Sequence, residues 1–391
     1  MSLARNLYHF PDSNGFVSMF VVDALLESYE LGAIEDTNDL EIAIQSAVKS
    51  ILSHRDINTT PGSSIFTFWN QALKNGTGVS DPPNISIPVG EIGSALDFIT
   101  EGLDKLGLKD AAKVLEALAK FPNTLLNVFR IPADFDDSGC GIALGARIKK
   151  SNAFPSAKTL WNSQISSLDA ILDAAVKYAY YPFANDDSAL IDPRTYFWMR
   201  DFLHSESNSG NTNLALVPTW LQNLSESKKL SPKGIKAPFN VNNVDASVAA
   251  NFLHGIITSS LLDPEVNFSL LNKPEVQLIL SSTTRLLAWT IKSDALSKRP
   301  DLVLLYYPPI YDFYWFVSRI VVELKNSPVP LLDVLQDMKN KLFEAMSTAG
   351  TDQILKRAQS DATSVRGATP THYYWDDFLG AIEKKKRRPS I

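Results

Sequence analysis

Three carboxylates, Asp134, Asp136 and Asp137, stand within four positions of one another in the stretch Pro132-Ala133-Asp134-Phe135-Asp136-Asp137-Ser138-Gly139. They lie just ahead of the helix-like run Cys140 to Lys149, and nowhere else is negative charge packed so tightly beside an apolar run. Carboxylates crowded at a partly buried helix start repel one another, so at least one should keep its proton well above the usual acidic range. A protonated carboxylic acid facing an apolar cavity is a Brønsted acid, and proton delivery is the chemistry this pattern offers.

The elements that must position these groups are helical. Apolar residues recur at three- and four-residue steps over Phe16–Tyr29, Leu40–Leu52, Ile92–Leu106, Asp110–Phe121 and Ile142–Ile148. The same spacing runs through Leu160–Tyr180, Arg194–Leu203, Val244–Leu261 and Val276–Ile291, and on through Tyr311–Leu324, Pro330–Met346, Asp352–Ala358 and Tyr374–Ile382. Strand-like alternation is scarce, so the expected class is all-α, with Pro-, Ser- and Asn-rich connections. Those connections are spread evenly and mark no clean boundary; the segment 225–243 is the best candidate for a mobile loop.

An internal echo suggests the architecture. Asp12-Ser13-Asn14-Gly15, Asp136-Asp137-Ser138-Gly139 and Asn242-Asn243-Val244-Asp245 each open a helix of small and apolar residues, at intervals a little over one hundred residues. A toroid of antiparallel helix pairs produces such an echo, because its inner helices start at one rim and their caps converge on a central cavity. The expectation is a single α/α-toroid domain over residues 1–383 and a basic disordered tail over 384–391, which holds Lys384-Lys385-Lys386-Arg387-Arg388. Asn243 and Asp245 then join the acidic cluster as candidate substrate-binding groups.

Asp134-Phe135-Asp136-Asp137-Ser138 resembles the Asp-x-Asp-Asp-Thr/Ser motif of class II terpenoid cyclases, which are built on α/α toroids. The resemblance implies that Asp136 is the acid that protonates an alkene or epoxide, with Asp134 and Asp137 tuning it. The carbocations that follow need aromatic faces, which stabilise a cation without trapping it. Candidate aromatic groups are Tyr311, Tyr314, Trp315 and Trp69, within the clusters Tyr306-Tyr307, Tyr311, Phe313-Tyr314-Trp315-Phe316 and Phe68-Trp69; Tyr196-Phe197-Trp198 and Tyr373-Tyr374-Trp375 are further ones. Cyclases of this family normally join two toroids, whereas this chain is long enough for one.

The protein prenyltransferase β-subunit, another toroid, suggests a zinc set of Asp137, Cys140 and His254 or His372, but the Asp–Cys spacing departs from that family's pattern. Asp376-Asp377 and Asn185-Asp186-Asp187-Ser188 lack the arrangement that holds magnesium–diphosphate, and no phosphate-binding or dinucleotide glycine loop occurs. No cofactor or metal is therefore expected. A net charge of −6 argues against a general nucleic-acid partner. No apolar run approaches the roughly 20 residues that span a bilayer. The single cysteine and an N-terminus unlike a signal peptide favour the cytoplasm.

Two further functions fit the same pattern. A carbohydrate-active enzyme would set Asp136 or Asp137 against Asp245 or Asp12 across a sugar. A non-catalytic toroid would bind a lipid or protein partner and use the Asp cluster only as a helix cap. The partner expected for the cyclase is a hydrophobic small molecule.

Overall fold

The computed structural model describes residues 14–34, 37–74, 79–81, 131–165, 168–233, 241–307, 309–362 and 371–375. The helices are α1 (Gly15–Glu30), α2 (Thr37–Leu52), α3 (Phe135–Lys150), α4 (Pro155–Asn162), α5 (Asp169–Tyr178), α6 (Pro193–Asn208), α7 (Leu224–Leu230) and α8 (Ala246–Leu262). They continue as α9 (Pro264–Leu271), α10 (Pro274–Lys292), α11 (Ala295–Lys298), α12 (Pro300–Val303), α13 (Ile310–Lys325), α14 (Asp333–Ala345) and α15 (Thr351–Lys356). The all-α expectation holds, with two small antiparallel hairpins added: Ala72–Lys74 with Val79–Asp81, and Gln359–Ala362 with Thr371–Tyr374. No described helix is long and apolar enough to cross a membrane.

Local chemistry starts these helices. Asn14, Asp134 and Asp245 cap α1, α3 and α8, accepting from Val17 N at 2.7 Å, Asp137 N at 2.7 Å and Ser247 N at 2.7 Å. Proline opens α4, α6, α9, α10 and α12, where its missing N–H costs nothing and its fixed φ suits the first turn.

The most extensive helix contact is between α3 and α8, both buried along nearly their whole length. They approach so closely that a Cβ on Gly255 would sit 2.2 Å from Gly139 O, so glycine is required where the two backbones cross. Helix α1 packs on α3 and α2, α4 on α2 and α3, α13 on α8 and α14, and α10 on α8 and α14. Contact between α1 and α13 runs through Phe20, whose ring lies 5.5 Å from Trp315 and 5.7 Å from Phe316, and through the ion pair of Asp23 with Arg319. Arg147 of α3 joins this buried clamp, 3.0 Å from Asp23 and 2.8 Å from Glu323.

Helix α3 divides the core. Cys140, Leu144 and Ile148, one per turn, face a cluster formed with α1, α2 and α4, while Phe135 and Ile142 face the larger cluster formed with α5, α6, α8, α10, α13 and α14.

Several expected elements differ. The run Leu160–Tyr180 is two helices, broken where Ile165 forms a β-bridge with Gly62. Trp161, Ile165, Leu168 and Ile171 all stay buried across the break, so apolar spacing persists where the helix does not. Tyr374, placed in a helix by its spacing, ends a strand paired with Gln359. The expected loop 225–243 contains most of α7, fixed by a reciprocal cap between Asn223 and Glu226. The expected helices Ile92–Leu106 and Asp110–Phe121, Asp12, and the tail 384–391 lie outside the described residues.

Candidate active site

The acidic cluster is built by the first turn of α3 and the extended segment that covers it. Phe135 N donates to Thr219 O at 2.9 Å, and Asp134 forms an antiparallel bridge with Trp220. On the other side Ser138 Oγ donates to Asp134 O at 2.7 Å and accepts from Phe66 N at 3.0 Å. Two extended segments are thereby pinned to one helix start, and their neighbours Phe68, Trp69, Thr219 and Trp220 are brought over the carboxyls.

All three carboxyls are buried: Asp134 is 3% exposed, Asp136 6% and Asp137 1%. They border a cavity of about 390 Å³ whose other walls are the rings of Phe16, Phe68, Trp69, Trp220, Tyr306 and Tyr307, with Val17, Ile131, Val248 and Thr219. A large cleft of about 540 Å³ elsewhere, beside Tyr178 and Gln222, touches none of these carboxyls.

The three acids differ in what they hold. Asp134 spends Oδ1 on its cap bond, and its carboxyl is also hydrogen-bonded to that of Asp137. Asp136 accepts from Asn251 Nδ2 at 2.8 Å and from the Tyr307 hydroxyl. Asp137 shares that carboxyl–carboxyl bond with Asp134, and its Oδ1 is packed so near the start of α1 that a Cβ at Gly15 would stand 3.0 Å from it.

Burial dominates their protonation. It raises the Asp136 carboxyl to about 8, helped by the charge of Asp134 and opposed by the bonds from Tyr307 and Asn251. Burial raises Asp134 to about 7 against its cap bonds, and lifts Asp137 well above the ordinary range with Asp134 and Asp136 adding repulsion. Three helix N-termini, those of α1, α3 and α8, converge here, and their dipoles favour the ionised forms; dryness outweighs them.

Asn243 and Asp245 stand behind the cavity wall. Asp245 caps α8 with Oδ1 and accepts Leu305 N at 2.5 Å and Tyr306 N at 3.3 Å with Oδ2. Asn243 Nδ2 donates to the Tyr306 hydroxyl at 2.8 Å, and Trp220 Nε1 donates to the same oxygen at 3.1 Å. Both residues therefore fix the segment that presents Tyr306 and Tyr307.

Of the aromatic candidates, Trp69 lines the cavity. Tyr311 lies against Trp375 at 6.4 Å, Tyr314 is buried with its hydroxyl on Gln353, and Trp315 is half exposed beneath Arg319; none of the three is among the cavity-lining residues. The partners that sequence reasoning did not single out are Asn251, Thr219, Trp220 and Phe16. Asn251 carried a readable signal, a buried amide in the otherwise small and apolar α8, but the others reach the site only through folding. His254 lies one turn beyond Asn251, 3.3 Å from Thr258 Oγ1, and burial holds its pKa well below the usual histidine value. Among the described residues no three His, Cys, Asp or Glu side chains group as a metal site.

The chain matches no family model, no curated protein and no solved structure.

Proposed function

We propose that this protein is an acid-initiated isoprenoid cyclase or isomerase that works in the manner of the class II terpenoid cyclases its motif resembles. The observation that carries the reading is the position of Asp136, buried, protonated to about pH 8 and bordering a cavity walled by aromatic rings. The fold proposed with it is a single toroid, α1, α3, α8 and α13 forming an inner ring and α2, α4, α10 and α14 backing it; the helix contacts above support this arrangement.

The chemistry follows from the residues. The Asp136 O–H bond breaks as its proton forms a new C–H bond at the less substituted carbon of a terminal alkene, leaving a tertiary cation. A second π bond of the substrate attacks that cation, forming a ring C–C bond. The final cation loses a proton, which restores the alkene and, delivered to the Asp136 carboxylate, the acid. Tyr307 and Asn251 hold the carboxylate between these events, and the faces of Phe16, Trp69 and Trp220 stabilise positive charge without offering a nucleophile.

A helix cap alone does not explain the cluster. Capping of α3 uses Asp134, whereas Asp136 and Asp137 add two buried carboxyls that repel it and contribute nothing to the cap. Of the two carboxylates that the carbohydrate reading would set against Asp136 or Asp137, Asp245 has both oxygens engaged by backbone N–H groups and Asp12 lies outside the described residues. Incubation with prenyl alcohols, prenyl diphosphates and squalene-type substrates in the presence of a chelator tests the proposal. Cyclic or isomerised product from the wild type, and none from a folded Asp136→Asn variant, is the expected result. Equal product from both proteins, or none from either, defeats it.

A further inference from the structure

An apolar strip open to solvent crosses the outer face of α1 and α13. Val17 and Val21 stand one turn apart on α1, each about half exposed, and Phe20 shares their face. The Phe20 ring lies 5.5 Å from Trp315 of α13, itself about half exposed, and the Arg319 guanidinium stacks 5.4 Å from the first ring and 5.0 Å from the second. One turn earlier on α13, Tyr311 meets the ring of Trp375 at 6.4 Å, and Trp375 and Tyr373 are exposed at the end of the second hairpin. Apolar and aromatic side chains thus follow one another from α1 across α13 to the hairpin.

Single apolar side chains on a surface are ordinary. A connected strip rich in Trp and Tyr has the composition found where a protein meets the boundary between water and hydrocarbon. Exposed acids limit it: Glu27 and Glu30 follow on α1, so the strip occupies only the first two turns of that helix.

Charge identifies the surface the strip fits. The chain as a whole, at −6, is repelled by an anionic membrane, so attachment has to be local. The pentad Lys384-Lys385-Lys386-Arg387-Arg388 begins nine positions after Trp375, and a chain of that length spans at most about 30 Å. Five cations are therefore tethered beside the apolar strip. Either signal alone gives weak, reversible attachment; an apolar contact joined to a polybasic cluster holds a peripheral protein on anionic lipid. A second copy of the chain on the same face would bring two basic pentads toward each other, which charge opposes.

We propose that this face docks on an anionic lipid bilayer, with Val21, Phe20, Trp315 and Trp375 entering the headgroup boundary and the pentad 384–388 binding acidic headgroups. Val17 also lines the acidic cavity, so the docked face adjoins it, but docking requires nothing of the acid chemistry.

Co-sedimentation of the full chain with vesicles tests this, using phosphatidylcholine with about 30% phosphatidylserine against phosphatidylcholine alone. Binding to the mixed vesicles should exceed binding to the neutral ones by more than tenfold and fall more than tenfold between 0.1 and 0.5 M salt. Each basic residue near such a surface is worth about fivefold, so alanine at all five positions of the pentad should weaken binding at least a hundredfold. Val21→Ser combined with Trp315→Ser should weaken it at least tenfold, with an unchanged far-ultraviolet circular dichroism spectrum showing the variant folded. Trp315→Phe should bind as the wild type does but lose part of the quenching that brominated lipid produces in it. No binding to the mixed vesicles overturns the proposal. So does binding that the pentad variant abolishes and the Val21, Trp315 variant leaves unchanged, which would assign attachment to the tail alone. Self-association of the wild type without vesicles, abolished by the Val21, Trp315 variant, would give the face to a second copy and overturn it as well.

Discussion

Replacing Asp136 by Asn should make the protein more stable at neutral pH, and the size of the effect follows from the buried acid. An unfolded aspartate has released its proton above pH 3.8, whereas the folded Asp136 keeps it to about pH 8. Between those values the folded chain binds one proton more than the unfolded chain, so stability falls as pH rises. The slope for one such proton is about 1.4 kcal/mol per pH unit, which gives a loss of about 3 kcal/mol between pH 5 and pH 7.5. Asparagine ionises in neither state and its amide oxygen can still accept from Asn251 and Tyr307, so that share of the slope disappears. Urea denaturation of both proteins, followed by far-ultraviolet circular dichroism from pH 5 to 7.5, measures it. The informative quantity is the change with pH in the stability difference between variant and wild type, because the packing cost of the new amide cancels. A value near 3 kcal/mol in favour of the variant at the higher pH is expected. A value below about 1 kcal/mol, or a shift in the other direction, would mean that Asp136 is ionised in the folded protein and would refute the proton-donor role.

Other perturbations have equally definite outcomes. Gly255→Ala drives a Cβ into the backbone of α3, 2.2 Å from Gly139 O, and should cost more than about 2 kcal/mol despite alanine's better helix propensity, seen as a lowered urea midpoint. Asp245→Ala strands the N–H groups of Ser247, Val248, Leu305 and Tyr306, so a loss of about 3 kcal/mol is expected, along with slower turnover as the Tyr306–Tyr307 segment loosens. Asp23→Ala leaves Arg147 and Arg319 buried beside each other without their shared partner; destabilisation of about 3–5 kcal/mol should result and persist in high salt, since buried pairs are little screened.

What could be read from the chain beforehand was mostly what short-range chemistry dictates. The polar starts of α1 and α8 announced themselves through Asn14 and Asp245, whose side chains cap as expected, whereas α3 begins earlier than its cluster suggested, capped by Asp134 with Asp136 and Asp137 already in its first turn. Proximity of Asp134, Asp136 and Asp137 was legible for the same reason. Misreadings arose where burial and backbone conformation part company. Ile165 keeps the apolar rhythm of a helix while its backbone bridges to Gly62, and Tyr374 owes its strand to a partner, Gln359, that no local pattern points to. The capping pair Asn223 and Glu226 was a visible start signal inside a stretch otherwise judged by its polarity. The partners of the acid were least accessible, because Asn251 and Tyr307 lie 115 and 171 positions from Asp136 and meet it only once α3, α8 and the start of α13 have assembled.

Exclusion of water, more than the neighbouring charge of Asp134, keeps the Asp136 proton in place. Flooding the chamber would restore an ordinary aspartate and surrender the hydrogen ion to bulk solvent. A greasy guest filling the space would keep water out and the proton on the carboxyl, which is a weaker acid there than in solvent; burial thus stores the hydrogen ion without strengthening its donor.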